Sequence, residues 1–339
     1  MKKAASLFSL IFVFASFWRI NAQDSLNNPM DSALYYLIHQ RYSKSDSVLD
    51  VILKNDPGNM GAEYMHLANE QTKMLDFESY DIEGDDYITR ADSMVDLFKK
   101  ALPSKKGVDS LKCLFFIGNT LGGKSITQAK IGKWPSAIRN GLRSLSYYKQ
   151  VVKADSSFYA AYLGLGIFNY YISLHLGWLP FFGDKTQEGL RQIRLASQGC
   201  IPYSLVAKNS LGWIMIDRKE YDAADSIASS VINELPDNTI FIRLKVRTAL
   251  WRKDWQTSIA LARSLVDISE KRDPVNWSDL LCGYQALVSC YDNLGMKTEC
   301  LEWAQKALAI KVPDPYSKIP YVKKHQKSIV EIQEKYTKH

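Results

Sequence analysis

The sequence predicts an all-α fold: a right-handed α-solenoid of helix-turn-helix repeats. Three observations carry that expectation. Aromatic, small and apolar residues recur at an interval of 34 residues; within each set they are spaced by three and four; and chain breakers are few, with 18 glycines and 11 prolines among 339 residues. Hydrophobic residues make up 46% of the chain and charged residues 23%, enough apolar material for a sizeable core. Length alone would give one large or two average domains. Repeat folds escape that count, because each unit contacts only its neighbours.

From the N-terminus, Lys2 and Lys3 precede an apolar run from Ala4 to Trp18, and Ile20-Asn21-Ala22 offers a small-residue cleavage point. This predicts a signal peptide over 1–22 and an exported protein, periplasmic, envelope-associated or secreted. The run is shorter than the ~20 residues of a membrane-spanning helix. No cysteine follows it, so no lipid anchor is expected. Loss of Lys2, Lys3 and Arg19 lowers the formal charge from +7 to +4. So mild a charge makes no general case for nucleic acid.

The solenoid is expected over 23–310. Tyr221, Ala224, Ala228 and Val231 share one face of a helix. The small residues let a neighbouring helix approach, the ring fills the space at the turn, and Pro236 cannot continue the helix. Thirty-four residues on stand Trp255, Ser258, Ala262 and Leu265, again aromatic, small, small, apolar. The helix before Tyr221, about Ser204 to Asp217, carries Leu211-Gly212, a large-small pair that receives its partner.

On these residues the chain resembles the tetratricopeptide family, whose repeat is 34 residues long. In chain order, Tyr42, Ser45, Leu49, Ile52 and Pro57 fit a second helix, and Tyr162, Leu165-Gly166 and Phe168 fit a first one. Tyr284, Leu287 and Tyr291 pair with Cys300, Ala304, Ala307 and Leu308. The segment from Asp76 to Leu111 fits the register poorly. It reads as an acidic loop, with nine acids between Glu70 and Asp96, and then a helix around Tyr87 to Leu102 with Ala91, Val95 and Phe98 on one face. Leu165-Gly166 precedes Leu211-Gly212 by 46 residues, which places an insertion near 175–184. From Lys311 onward there are seven lysines, and 311–339 is expected to be a basic C-terminal capping helix and tail.

The resemblance implies an interaction scaffold whose first helices line a concave groove. Residues expected on that face are Tyr170, Asn209, Trp213, Arg243, Arg247 and Gln285. Arg243 and Arg247, four apart, project from one helix face and could hold a carboxylate; an ordinary solvated arginine pair is the alternative. The partner expected is another protein or peptide, and no enzyme activity is expected. In the insertion, Trp178, Phe181 and Phe182 form either a contact site for a partner or membrane, or a plug between repeats.

One motif supports a rival. Gly118-Asn-Thr-Leu-Gly-Gly123-Lys124-Ser125 satisfies the phosphate-loop pattern and follows an apolar run. In that reading Gly123, Lys124 and Ser125 serve a nucleotide-dependent enzyme. No strand-helix alternation surrounds it, so the expectation is that the glycines serve helix packing. Asp81-x-Glu83-Gly84-Asp85-Asp86 has the composition of a calcium loop without its spacing. No metal or cofactor is expected. The five cysteines show no framework spacing, and one bridge among Cys282, Cys290 and Cys300 stays open.

Overall fold

A computed structural model of the chain describes residues 28–176 and 183–337. The proposed signal peptide and the loop residues Trp178, Phe181 and Phe182 lie outside them. Among the described residues there are fifteen α-helices and no strand. They run α1 Pro29–Ile38, α2 Tyr42–Asn55, α3 Met60–Phe77, α4 Tyr80–Ala101, α5 Gly107–Lys130, α6 Trp134–Ala154, α7 Tyr159–Leu176 and α8 Thr186–Ser197. The second half has α9 Tyr203–Asp217, α10 Tyr221–Ile232, α11 Thr239–Arg252, α12 Trp255–Glu270, α13 Trp277–Asn293, α14 Lys297–Ala309 and α15 Pro320–Thr337.

Each hairpin is made by local chemistry. Side chains of Asn59, Asp254 and Asn276 accept hydrogen bonds from N–H groups in the first turns of α3, α12 and α13, meeting donors that a helix start leaves open. The turn inside almost every hairpin contains a left-handed residue: Gln40, Glu78, Gly132, Lys219, Lys253 and Gly295, with φ from 52° to 79°. That conformation stops the helix and reverses the chain. Four of the six are not glycine, so the sequence alone gave little sign of the device.

The repeating small residues pack as expected. Ala224, Ala228 and Val231 of α10 and Ser258, Ala262 and Leu265 of α12 are buried, as are Tyr42, Ser45 and Leu49 of α2. The closest approach joins α7 to α8. A Cβ on Gly166 would stand 2.7 Å from the Gly189 carbonyl oxygen, so only glycine fits. Connections within the later hairpins are brief, 218–220, 253–254 and 294–296, whereas α7 and α8 are joined by 177–185.

One local expectation is corrected, and the open question of a disulfide is answered. The acidic loop is helix: α4 begins at Tyr80 and takes Asp81, Glu83, Asp85 and Asp86 into its first turns. Acids there face the positive end of the helix dipole, which favours helix over loop. Gly84 is buried in α4, and a Cβ there would already touch Thr127 at 3.2 Å. The five cysteines are all unpaired; four are buried, and the Cys300 thiol donates to the Val288 carbonyl.

The first helices of successive hairpins form an inner row. α5 packs on α7, α7 on α9, α9 on α11, α11 on α13 and α13 on α15, while α6, α8, α10, α12 and α14 lie outside. The row curls until it meets itself, because α3 also touches α13. Four of the contacts that close it share nearly one sequence separation. Gln40 to Thr239 spans 199 residues, Ile38 to Asn238 and Asp76 to Asn276 span 200, and Phe77 to Ser278 spans 201. One superhelical turn therefore takes about five hairpins, several of them longer than 34 residues, and its start sits on its end.

Candidate functional site

Along the inner row, rings from three hairpins meet. Tyr203 donates to the Tyr64 hydroxyl at 3.0 Å, Tyr64 stacks on Phe116 at 4.2 Å, and Phe115 meets Tyr203 edge-on at 5.1 Å. Asn119 donates to Tyr64, and its oxygen accepts from Tyr148 at 2.9 Å.

Closure is made by the corner between α3 and α4. The last carbonyls of α3 have no helical partner, and distant side chains supply one. Arg243 donates to the Asp76 carbonyl at 3.0 Å and the Leu75 carbonyl at 3.3 Å; Ser278 donates to the Phe77 carbonyl at 2.6 Å. A cation at a helix C-terminus also meets the negative end of the dipole. The Asp76 carboxylate, fully buried, accepts from Tyr42 at 2.8 Å, Arg272 at 2.7 Å, Asn276 at 3.0 Å and Thr239 at 3.3 Å. Arg243 pairs with buried Asp279 at 2.8 Å. Two carboxylates thus face two guanidiniums in the interior.

Burial pushes the Asp279 carboxyl up to about 6, against the pull of Arg243. Burial opposes the charge on Arg243, but Asp279, Tyr321, Glu78 and Asp76 hold it above the usual guanidinium range. Arg243 therefore stays cationic.

The face expected for a partner is changed by this closure. Arg243, read as open to a ligand, is 2% exposed and committed to Asp279 and α3. The reason is visible in α11: Ile240, Phe241, Ile242, Leu244 and Val246 are buried as well, so the first turns of the helix are enclosed. Tyr170 and Asn209 are buried, and the Asn209 side-chain oxygen has no hydrogen-bond partner among the described residues. Trp213 is half-buried against the core beneath α9. Arg247 is half-buried, and its guanidinium donates to the Gln285 oxygen at 3.1 Å and lies 3.1 Å from the His325 Nε2. The Gln285 amide donates to Ser289 at 2.7 Å. Arg247, Gln285 and His325 thus come together at the junction of α11, α13 and α15. Arg243 does not join them.

His325 is buried on α15 with its ring edge-on to Tyr321 at 4.4 Å. Burial, then the charges of Arg247, Lys324 and Arg243, push its imidazole down to about 2, so it is neutral at physiological pH. Asp76, Arg272, Asn276, Asp279 and His325 escaped the sequence reading. The one usable signal was Arg243 among Ile, Leu and Val on every side, which marks a buried charge needing an acid.

The phosphate-loop alternative is overturned. Gly118 to Ser125 lie in the middle of α5, a helix of 24 residues. In a helix the backbone N–H groups are spent on carbonyls four residues back and cannot converge on a phosphate. Lys124 is buried and paired with Asp92, and the Ser125 hydroxyl donates to the Ala137 carbonyl at 2.7 Å. Gly118 serves packing: a Cβ there would meet the Tyr147 Cβ at 3.1 Å. Trp213 to Asp217, castable as a second nucleotide motif, complete α9.

The architecture is a solenoid of tetratricopeptide type. Among solved structures, the chain is similar to one in a Cut9-Hcn1 hetero-tetramer of the APC/C, with a TM-score of 0.56 at 14% identity. That match covers 92% of this chain and 54% of the other, so the chain spans about half of that protein's length. It is also similar to a tetratricopeptide repeat protein from Parabacteroides merdae, with a TM-score of 0.40 at 12% identity over 90% and 99% of the two chains. A third similar structure is the C-terminal part of a repeat-containing protein from Cytophaga hutchinsonii, with a TM-score of 0.40 at 12% identity over 85% and 98%. Likeness at such identities concerns the fold. No protein-family model matches the sequence, and no curated protein does.

Proposed function

We propose that the chain is an exported scaffold that holds another protein or peptide and catalyses nothing itself. The observation that carries this reading is a set of side chains on neighbouring inner helices, Trp213 of α9, Arg247 of α11, Ser289 of α13 and Ser328 of α15, that keep contact with solvent. An indole and a guanidinium are common anchors at protein interfaces. The neighbour found in a Cut9-Hcn1 hetero-tetramer supports the reading, since that structure is an assembly of proteins on a similar fold. The amino-terminal pattern of Lys2, Lys3 and an apolar run supports export.

The test is position-specific photo-crosslinking in the native host. A benzoylphenylalanine placed at Trp213 is expected to yield a discrete protein adduct. The same probe at Val51, an exposed residue of α2 on the outer surface, is expected to yield none. Equal labelling from both positions, or none from Trp213, would sink the proposal. Export is read separately, by N-terminal sequencing of the chain recovered outside the cytoplasm; a start near residue 23 is expected.

A further inference from the structure

The second helices of the hairpins differ in charge. Among the described residues, α2, α4, α8, α10, α12 and α14 each carry at least one acid. α6 carries none over its 21 residues, and holds Arg139, Arg143, Lys149 and Lys153. All four cations are exposed. Surface cations before and after this helix are spent on carboxylates: Lys133 on Asp85 at 2.6 Å, Lys130 on Glu78 at 3.4 Å and Arg191 on Glu188 at 2.8 Å. Those of α6 have no such partner among the described residues; Arg143 donates to the neutral Asn140 side chain at 3.1 Å.

The same exposed face is apolar at its start. Trp134, Ile138 and Leu142 stand four residues apart and so form one line along the helix. Trp134 is 55% exposed and Leu142 46%. The other face is consumed by packing. Ser144 donates to the Gly118 carbonyl of α5 at 2.6 Å, Tyr148 donates to the Asn119 oxygen at 2.9 Å, and a Cβ on Gly141 would stand 2.7 Å from the Phe168 ring of α7. α6 is therefore held in place from within, and its outward face presents apolar groups and unpaired cations together.

An exposed apolar line is unfavourable in water, and unpaired cations gathered on one face attract a polyanion. A surface of anionic phospholipid meets both demands at once. Its phosphates match the cations, and its boundary between headgroups and acyl chains accepts an indole and aliphatic groups. Nucleic acid would match the cations alone. We propose that the outer face of α6, with Trp134, Ile138 and Leu142 beside Arg139, Arg143 and Lys149, docks the solenoid on an anionic phospholipid surface. The helix stays packed on α5 and α7, so side chains alone enter the headgroup layer and the contact is shallow and reversible. Because α6 belongs to the outer layer, docking through it leaves the inner row free.

The experiment uses the full chain with a benzoylphenylalanine at Leu142. The probe surfaces are vesicles of phosphatidylglycerol mixed with phosphatidylcholine, and vesicles of phosphatidylcholine alone. Mass spectrometry is expected to find a lipid adduct at Leu142 with the anionic vesicles and none with the neutral ones. The same crosslinker at Val51, exposed on α2, should give none with either. The adduct reads α6 itself, whatever the apolar run from Ala4 to Trp18 contributes to vesicle binding. Each cation near an anionic surface strengthens binding roughly five-fold, so Arg139→Gln with Arg143→Gln should raise the lipid concentration for half-maximal adduct about 20-fold. Trp134→Ser should raise it several-fold, and circular dichroism of both variants should match wild type, since the altered groups are exposed. No adduct at Leu142, equal adducts at Leu142 and Val51, or equal adducts with the neutral vesicles would overturn the proposal. A loss on replacing the arginines with none on Trp134→Ser would show attraction by charge alone, and would replace lipid docking with an acidic protein or nucleic acid as the occupant. Lys323→Glu with Lys327→Glu, both exposed on α15, should leave the Leu142 adduct in place; if it removes the adduct as fully as the arginine pair does, α6 is not the docking face.

Discussion

Arg243→Met should open the ring, and its cost can be worked from the contacts. The side chains of Arg243 and Asp279 are 3% and 0% exposed, so water screens neither. Breaking a buried pair by removing one partner costs about 3–5 kcal/mol. The variant also strips the Leu75 carbonyl of its donor from α11, and an unsatisfied buried acceptor costs about 1–3 kcal/mol. The two losses share one side chain and do not add, so the expectation is about 4 kcal/mol at pH 8. At pH 5 it should be smaller, because the Asp279 carboxyl, pushed up to about 6, is then largely neutral in the wild type too. Urea unfolding followed by circular dichroism measures both values, and small-angle scattering should show a larger radius of gyration in the variant. Adding Asp279→Leu should recover about half of the loss, since it removes the stranded acid. An exposed arginine would change stability by roughly 0.5 kcal/mol or less. A loss below about 1 kcal/mol at pH 8, with unchanged scattering, would refute the closed ring.

Other expectations follow from single contacts. His325 is held neutral, so the unfolded chain binds a proton below pH 6.5 that the folded chain refuses; stability contributed by this group is full above that pH and falls on acidification. His325→Gln should therefore gain on the wild type by about 1.4 kcal/mol per pH unit below 6.5. Asp279 acts oppositely, losing stability as pH rises from about 4 to about 6, so the comparison must be made between the two curves and not on either alone; parallel curves would exclude the burial of His325. Lys124→Ala should cost about 1 kcal/mol by chemical denaturation, since it deletes a buried stem while half-exposed Asp92 returns to water, and calorimetry of the wild type should show no Mg²⁺-dependent ATP binding. Gly166→Ala should cost about 1–3 kcal/mol by forcing α7 off α8; a melting temperature equal to wild type would show that the helices separate freely. Lys253→Gly should stabilise by several tenths of a kcal/mol by relieving a left-handed residue with φ of 60°.

What the sequence could tell depended on how far each feature reached along the chain. The second-helix face of Tyr221, Ala224, Ala228 and Val231 is local, so its period was legible and the all-α solenoid followed. Trp255, Ser258, Ala262 and Leu265 repeated it in register. The acidic stretch after Asp76 misled because charge density resembles a loop, whereas Asp81 and Glu83 in the first turn of a helix are favoured by the dipole. The face for a partner was half legible. Arg247 and Gln285 do meet, because they lie on neighbouring first helices. Arg243 could not be assigned, because its partners Leu75 and Asp76 stand about 170 residues away. Their meeting is set by rotation accumulated over the whole array, and no window of sequence contains that sum.

The separation of about 200 residues between joined ends carries a consequence for how this protein can change. Open solenoids tolerate gain or loss of a unit, since each addition only lengthens the stack. Here a unit added or removed between α4 and α11 would carry Arg243, Arg272 and Asn276 past the α3 corner, leaving Asp76 buried without Arg272 and the last carbonyls of α3 without Arg243. The number of repeats is therefore a fixed dimension, like the teeth of a gear that must mesh after one revolution. Variation can enter at the short connections within hairpins, such as 218–220 and 294–296, without changing the count of units.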